Sequence, residues 1–293
     1  MSGPLLVTGA GGLLGGALAA LPGALGLRRS QLDITDVDAL HAALDEHRPV
    51  AVINAAAFAR VDAAEQAPAE AHAVNAAAPA ALAQACQRRG IRLVHISTDY
   101  VLRGPPRPGH LLTEDAAPAP VGVYAQTKAA GEAAVLRAGG GVVLRVQWLY
   151  APVGASFFAR ALAGLRAGAT LRLVPDQLGC PTPAALLAGW IGRVAAGGPT
   201  GLFHLATTGQ ASPVEWLSAA ADQLGLPLRW EPLPRAAIGP VPRPARSCLD
   251  GARARAAFGL PAVPWEEALR GALQAEERQE PPGGAEDAGR RAD

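Results

Sequence analysis

The residues of this chain that could do acid–base chemistry lie close together between positions 95 and 132. Lys128 is the only lysine in the sequence, and Tyr124, one of only three tyrosines, stands four positions before it. Residues at positions i and i+4 share one face of a helix, so the phenol and the ammonium can act together. Arginine cannot supply a compact ammonium with a transferable proton, so this lysine indicates a chemical requirement. The alternative is a surface lysine beside a half-buried tyrosine.

This pair could carry the proton transfer of a ketone reduction. Tyr124 would donate a proton to the carbonyl oxygen while a hydride reaches the carbon. A free phenol has a pKa of about 10, and we expect the positive charge of Lys128 to lower the pKa of Tyr124. Thr98 ends a buried run and offers a hydroxyl to the same oxygen. Thr98, Tyr124 and Lys128 are therefore the predicted catalytic residues, and a nicotinamide cofactor would supply the hydride.

A glycine-rich segment near the N-terminus predicts where that cofactor binds. Residues 4–8 form a short apolar run, and Gly9, Gly12 and Gly15 follow it before a helical stretch. Glycines between a strand and a helix permit a tight turn and a close approach of the backbone to a pyrophosphate. The pattern alone is weak in a chain with 34 glycines, and an ordinary glycine-rich turn is the alternative. Its position between strand and helix favours the cofactor site.

The charge after the second predicted strand, at 24–28, bears on the choice of cofactor. An acidic residue about 20 positions after the glycines often holds the ribose hydroxyls of NAD. Arg28 and Arg29 occupy that region here. Two cations favour the 2′-phosphate of NADPH, although two loop arginines are usually a solvated surface. We therefore predict NADPH, with NADH as the alternative.

Strands and helices alternate along the first half of the chain. Apolar runs predict strands, and longer alanine-rich stretches predict helices. The strands are at 4–8, 24–28, 50–53, 91–96 and 142–146, and the helices at 13–20, 37–47, 71–89 and 123–137. This alternation is typical of the α/β class, and it predicts a Rossmann-type doubly wound parallel sheet. The segments that follow the third and fourth strands, 54–57 and 97–99, would face the ligand at the edge of that sheet.

The pattern becomes less regular after residue 150. We predict an NAD(P)-binding Rossmann domain over 1–150, to which later strands from 165–210 return. A smaller C-terminal substrate-binding lobe would cover 151–277. The polar tail, 278–293, is predicted to be disordered.

Composition excludes several classes of function. A net charge of +1 with 17% charged residues lacks the basic excess that nucleic-acid binding needs. Three cysteines, far apart and odd in number, support neither a disulfide framework nor a zinc site, so we predict no metal ligand. The N-terminus does not resemble a signal peptide, and no apolar run is long enough to span a membrane. A cytoplasmic location is the default expectation.

Blocks of sequence spread over about residues 4–275 resemble the extended short-chain dehydrogenase/reductases and, more narrowly, the dTDP-4-dehydrorhamnose reductase family. The glycine loop and the Tyr/Lys pair are shared across the superfamily, whereas the other blocks are narrower. The matching blocks are 8–15, 32–36, 54–58, Val61, Asp62, Glu65, Val74, Asn75, 97–101, 124–132, Arg145, Trp148, Tyr150, Asp176, Gln177, Gly179, Pro181, Thr182, Arg243, Pro244, Ser247, Leu249 and Asp250.

This resemblance implies reduction of the C4 ketone of dTDP-4-dehydro-L-rhamnose by NADPH or NADH, with Thr98, Tyr124 and Lys128 as catalytic residues. With the glycine loop, it implies these cofactor contacts: Gly9, Gly12, Leu13, Leu14, Gly15, Asp33, Ile34, Ala55, Ala56, Ala57, Tyr124 and Lys128. Arg29 is added to them because its positive charge favours a 2′-phosphate. The implied substrate contacts are Thr98, Asp99, Tyr100, Tyr124 and Trp148. A dTDP-sugar is the expected partner, and a homodimer is possible.

Departures from the family pattern keep other functions open. Leu13, Phe58 and Ala59 replace more polar residues, and Val146 and Gln147 replace a usual Thr-Ser or Thr-Ala pair. The first alternative is another nucleotide-sugar epimerase or reductase. The second is a non-catalytic NADP-binding regulatory subunit resembling the β subunit of methionine adenosyltransferase. The third is a purely structural α/β domain.

Overall fold

A computed structural model describes residues 3–104 and 109–278 of the chain. The tail predicted over 278–293 lies outside the described residues, except for residue 278. The strands, in chain order, are β1 (Leu5–Thr8), β2 (Ala24–Leu27), β3 (Ala51–Asn54), β4 (Arg92–Thr98), β5 (Gly141–Val146), β6 (Leu149–Tyr150), β7 (Thr170–Leu173), β8 (Thr182–Pro183), β9 (Gly201–His204) and β10 (Arg229–Pro232).

The helices lie between these strands. In chain order they are α1 (Leu13–Ala19), α2 (Val37–His47), α3 (Val61–Ala64), α4 (Pro68–His72), α5 (Ala78–Arg89), α6 (Gly122–Ala138), α7 (Phe157–Arg166), α8 (Ala184–Ala196), α9 (Pro213–Leu224), α10 (Ala252–Phe258) and α11 (Trp265–Glu277). A π-helical turn, Ala73–Ala77, joins α4 to α5, and a 3₁₀ turn, Asp99–Val101, follows β4. Of the described helices, none is long and apolar enough to cross a membrane.

Six parallel strands form the main sheet in the order β2-β1-β3-β4-β5-β9. Leu5 of β1 pairs with Ala24 of β2 on one side and with Ala51 of β3 on the other. The strand order therefore reverses direction at β1, and a crevice opens there at the carboxyl ends of the strands. This arrangement confirms the α/β class with a doubly wound parallel sheet.

Both faces of the sheet are covered by helices, because successive residues of a strand point to opposite faces. Val7 and Ile53 belong to the core under α1 and α8. Leu6 and Val52 belong to the core under α2 and α5. Asp36 caps α2, because its side chain accepts from the Ala39 N–H at 3.0 Å.

The chain after residue 150 alternates between the sheet and a separate lobe. β9 pairs with β5 at the edge of the main sheet, and α8 packs against that sheet. β7 instead pairs with β10. The core of the lobe comes from α7, α9 and α11 and contains Phe158 and Trp216, whose rings stack 4.6 Å apart.

A buried ion pair ties α6 to the main sheet. Glu132 of α6 accepts from two nitrogens of Arg145 in β5, at 2.9 Å from Nε and 2.8 Å from Nη2. Both side chains are at most 4% exposed. The third partner is His204, whose Nε2 lies 3.4 Å from Arg145 Nη1 and whose Nδ1 contacts the Leu112 carbonyl at 2.9 Å. Both ring nitrogens of His204 therefore have structural contacts.

Candidate active site

A cleft of about 950 Å³ lies over the carboxyl edge of the sheet. It brings together every residue for which the sequence predicted a role at the site. Its lining includes Gly9, Gly12, Leu13, Leu14, Gly15, Arg29, Asp33, Ile34, Ala55, Ala56, Ala57, Thr98, Asp99, Tyr100, Tyr124, Lys128 and Trp148. These residues come from the loops after β1, β2, β3, β4 and β5, from the start of α1 and from α6, so the cleft lies at the crevice that the strand order defines.

The glycine loop packs directly against the loop that follows β3. Gly9 has a φ of 72°, and a Cβ added to it would lie 2.6 Å from the Ala56 backbone nitrogen. A side chain at Gly15 would strike the carbonyl group of Gly9. Neither position has room for a side chain, so both residues must be glycine. The cleft is therefore lined by bare backbone at the glycine loop.

Polar side chains join the ends of three strands. Asn54 Oδ1 accepts from the Thr8 hydroxyl at 2.8 Å and from the Ala56 N–H at 3.2 Å, and its Nδ2 lies 3.1 Å from His95 Nδ1. Burial lowers the pKa of His95 well below its ordinary value, so this imidazole is neutral. This series of hydrogen bonds, from Thr8 through Asn54 to His95, fixes β1, β3 and β4 relative to one another.

The basic segment after β2 meets two acidic side chains in the structure. Arg29 Nε lies 3.3 Å from Asp33, and its Nη1 lies 3.5 Å from Glu70. Asp33 also accepts from the hydroxyl of Thr35 at 2.7 Å, and hydrogen bonds from Thr35 are the main reason that the pKa of Asp33 is lowered. The preference for a 2′-phosphate therefore stays a prediction.

Helix α6 places Tyr124 and Lys128 one turn apart on the wall of the cleft. The Lys128 side chain is buried, and its Nζ donates to the Ile96 carbonyl at 2.7 Å. Burial lowers the pKa of Lys128 to about 8, against an opposing effect of Glu132. A lysine at this position can therefore exchange its proton near neutral pH.

The expectation that Lys128 lowers the pKa of Tyr124 is wrong for this structure. Burial raises the pKa of the phenol to about 12, and the effect that lowers it comes from the hydrogen bond with Thr98. Lys128 is itself turned to the Ile96 carbonyl. The sequence placed both groups on one helix face, but it could not show how deeply that face is buried.

Thr98 and Asp99 form a hydrogen-bonded unit at the end of β4. The Thr98 hydroxyl accepts from the Tyr100 N–H at 3.2 Å and lies 3.2 Å from Asp99 Oδ1, to which it donates. Asp99 Oδ2 accepts from Gln147 Nε2 at 3.3 Å. Burial raises the pKa of Asp99 to about 6, while hydrogen bonds from Ser247, Thr98 and Gln147 lower it. The Asp99 carboxylate is thus held by protein groups at the back of the cleft.

This buried carboxyl group predicts a pH dependence of stability. The pKa of Asp99 rises from an ordinary 3.8 to about 6 on folding. Between these values the folded protein binds more protons than the unfolded chain, so the contribution of Asp99 to stability falls as pH rises. We expect wild type to lose about 2 kcal/mol relative to Asp99→Asn between pH 4 and pH 7. Urea unfolding of both proteins measures this; parallel pH curves would contradict it.

Two aromatic side chains, Tyr100 and Trp148, also line the cleft. The Tyr100 ring meets the Tyr124 ring edge to face, with centroids 5.7 Å apart and planes at 80°. Trp148 follows β5 with a φ of 42°, and its ring lies 6.1 Å from that of Trp216. Trp148 therefore lies at the junction of the cleft and the lobe, where a substrate would meet both.

Several residues at the site were not assigned roles from sequence. Glu70 and Phe157 line the cleft, and Asn75 bonds the Phe58 backbone at 2.9 Å and Thr127 of α6 at 3.2 Å. Asn75 lies in the π-helical turn, a form often found at functional sites. No local pattern marks Phe157, because only the path of the chain after β6 brings it to the cleft.

The Gln147 side chain connects Asp99, which follows β4, with the loops that contain Cys180 and Ser247. Its Nε2 donates to Ser247 Oγ at 2.6 Å, and its Oε1 accepts from the Cys180 N–H at 3.0 Å. The sequence marked this position only as a departure from the family pattern.

Among the described residues, no group of three or more His, Cys, Asp or Glu side chains could hold a metal ion.

The fold and the site together define a class. A doubly wound parallel sheet, a glycine loop after the first strand and a Thr, Tyr, Lys set at the switch point are typical of short-chain dehydrogenase/reductases. The chain belongs to the RmlD substrate binding domain family, whose model matches residues 3–278.

Comparisons with individual proteins agree with this assignment. The chain is 40% identical over 281 residues to a dTDP-4-dehydrorhamnose reductase of Streptomyces griseus, covering 90% of this chain and 91% of the relative. It is 37% identical over 273 residues to a dTDP-4-keto-6-deoxy-D-glucose reductase of Streptomyces niveus, covering 90% and 94%. A crystal structure of dTDP-4-dehydrorhamnose reductase from Bacillus anthracis in complex with NADP superposes with a TM-score of 0.87 at 29% identity, covering 94% of this chain and all of that one.

Proposed function

We propose that this protein reduces the C4 ketone of dTDP-4-dehydro-L-rhamnose to dTDP-L-rhamnose, with NADPH or NADH as the reductant. The observation that carries the proposal is the meeting of Thr98, Tyr124 and Lys128 on the same cleft as the glycine loop. The family, the named relatives and the NADP complex of a similar structure support it.

The cleft fits the cofactor, because its floor is bare backbone where a Cβ at Gly9 or Gly15 would collide. When bound, the nicotinamide supplies the hydride for C4 of the sugar. Tyr124 Oη donates the proton that completes the C4 hydroxyl. Its raised pKa keeps it protonated until that moment.

The other two proposed catalytic residues are Thr98 and Lys128. Thr98 lowers the pKa of the phenol, and its hydroxyl, which donates to Asp99 in this structure, turns to the phenolate in the proposed reaction and stabilises it. Lys128 is positively charged below its pKa of about 8, and it holds its ammonium at the end of β4. In the proposed reaction the remaining N–H groups of Lys128 hold the ribose of the cofactor, and Lys128 does not lower the pKa of the phenol.

In this proposal each half of the molecule binds one of the two reactants. Residues 1–150, completed by β9, hold the cofactor, and the lobe within 151–277 holds the dTDP-sugar against Trp148. A homodimer and a cytoplasmic location are also proposed, the latter supported by three free, buried cysteines. Light scattering of the purified protein tests the dimer.

One assay separates the candidate functions. Purified protein is mixed with NADPH and dTDP-4-dehydro-L-rhamnose, and absorbance of the reduced nicotinamide is followed with product analysis. Stoichiometric oxidation with formation of dTDP-L-rhamnose supports the proposal. Cofactor binding without oxidation of any dTDP-4-keto sugar would contradict it and favour a regulatory subunit, and interconversion of sugars without net NADPH consumption would favour an epimerase.

A second candidate substrate is dTDP-4-keto-6-deoxy-D-glucose, named for the Streptomyces niveus relative. The observation that favours it is the presence of Val146 and Gln147 in the lining of the cleft, where the family pattern has Thr followed by Ser or Ala. The two keto-sugars differ in configuration within the ring, so side chains at this wall can discriminate between them. The ratio of kcat/KM for the two sugars in the same assay decides which is preferred.

The cofactor preference depends on Arg29 in this proposal. Arg29 lines the cleft, whereas Arg28 does not. A charge-assisted hydrogen bond contributes about 1.5–3 kcal/mol, so we expect Arg29→Gln to raise KM for NADPH about tenfold and to leave KM for NADH unchanged. Arg28→Gln is the matched control. A larger loss in the Arg28 variant would assign the 2′-phosphate to Arg28 instead.

A further inference from the structure

We propose that Gly179 is a positioning residue for the sugar site, because it leaves the room in which the Trp148 indole is held back from the cleft. Gly179 is not part of the cleft lining, and it acts only through the ring that it contacts. The inference deepens the proposed function and rests on it for its kinetic test.

Trp148 has an unusual backbone conformation at this place. Its φ of 42° lies in the left-handed region, which is strained for a bulky side chain and persists only when the surroundings hold it. The Trp148 carbonyl accepts from the Thr182 N–H at 3.1 Å. The ring is half-buried and lines the cleft, so its position sets how much room remains there.

Gly179 lies directly behind that ring. A Cβ added to Gly179 would lie 2.5 Å from Trp148 Cδ2 and 2.7 Å from Nε1. Ordinary contacts between carbon atoms begin at about 3.5 Å. The φ of Gly179 is not positive, so backbone conformation does not require a glycine here. The three atoms nearest to the added Cβ all belong to the Trp148 indole.

The segment around Gly179 has no room to retreat. Its N–H donates to the Ala211 carbonyl at 3.0 Å, and its carbonyl accepts from the Ala211 N–H at 2.9 Å. The next residue, Cys180, donates to Gln147 Oε1 at 3.0 Å. A side chain at position 179 must therefore be accommodated by movement of the ring.

The direction of that movement follows from the packing on the lobe side. Trp216 lies 6.1 Å from the Trp148 ring and is itself stacked on Phe158 at 4.6 Å. This aromatic group belongs to the core of the lobe. The open side of the indole is the cleft, so a methyl group at Gly179 moves the ring by about 1 Å toward the substrate.

The kinetic test uses Gly179→Ala with two readouts. A displacement of about 1 Å can cost about 100-fold in rate, and we expect kcat/KM for the keto-sugar to fall at least tenfold, mainly through KM. The Kd for NADPH stays within twofold, because neither Gly179 nor Trp148 is among the residues predicted to contact the cofactor. Gly189→Ala in α8 is the control, since nothing lies within 4 Å of its added Cβ; its KM stays that of wild type.

A double-mutant cycle shows whether the effect passes through the indole. In a Trp148→Ala background the clash is absent, so adding Gly179→Ala changes KM no further. If the same factor appears in both backgrounds, the proposal is overturned. Should Gly179→Ala alone fail to fold, the double variant recovers folding; failure of both overturns the proposal as well.

A crystal structure of Gly179→Ala separates this inference from the proposed function. The expected result is a Trp148 ring displaced toward the cleft, and an unmoved ring overturns the proposal. This readout needs no turnover. A wild-type protein without reductase activity would therefore contradict the proposed function and leave the structural test intact.

Discussion

Replacing Tyr124 with phenylalanine is expected to abolish most of the NADPH oxidation and to leave cofactor binding intact. The phenol is the proton donor in the proposed reaction, and positioned general acids contribute about 10²–10⁴-fold to a rate. We therefore expect kcat of Tyr124→Phe to fall by at least about 100-fold. The ring itself is preserved, so its edge contact with Tyr100 is kept. Steady-state absorbance measures kcat, and fluorescence titration measures the Kd for NADPH.

Tyr150 provides a matched control for this substitution. Its hydroxyl is buried and has no hydrogen-bond partner within the described structure, and its ring packs 4.7 Å from that of Phe158 in the lobe. Tyr150→Phe removes the same oxygen atom away from the catalytic helix, so turnover is expected to match wild type. Equal losses of kcat in the two variants would mean that Tyr124 is not the proton donor.

Breaking the buried pair of Arg145 and Glu132 is expected to cost more stability than any surface change. In Arg145→Met the Glu132 carboxylate stays buried and loses both charge-assisted hydrogen bonds. Removing one partner of a buried pair costs about 3–5 kcal/mol. We expect the free energy of unfolding in urea at pH 7 to fall by that amount.

Two further variants separate charge from packing. Arg145→Met combined with Glu132→Leu removes both charges, and replacing a whole buried pair is often neutral, so most of the lost stability returns. Arg89 is the surface control, because it pairs with the exposed Asp45 at 2.8 Å; Arg89→Met costs at most about 1 kcal/mol. A double variant as unstable as Arg145→Met would show that the cost arises from packing.

Many of the site residues could be predicted from the sequence, because they lie in or next to strands and helices that short-range patterns reveal. Apolar runs gave the parallel strands, and the ends of parallel strands meet at one edge. Thr98 and the segment 54–57 could thus be assigned to the same cleft. The spacing of Tyr124 and Lys128 determined a common helix face. These inferences need only the local pattern and the topology of the sheet.

The remainder depends on contacts between distant segments. Gln147 joins Asp99, Cys180 and Ser247, and no local pattern links those positions. The pKa of Tyr124 is decided by burial, which depends on how the lobe packs. β10 was not expected because all of its residues are exposed and show no alternation. The role inferred for Gly179 likewise depends on one ring from another loop.

The position of β9 has a consequence for how the protein is made. The edge of the sheet beside β5 is covered only when residues 201–204 have been synthesised and paired. Domains usually fold during synthesis from the N-terminus, yet here the first 150 residues leave an open strand edge of the kind that promotes aggregation. The cofactor-binding half therefore depends on β9 to cover this edge. Genetic truncation after residue 150, or exchange of that half between relatives, would separate strands that need each other.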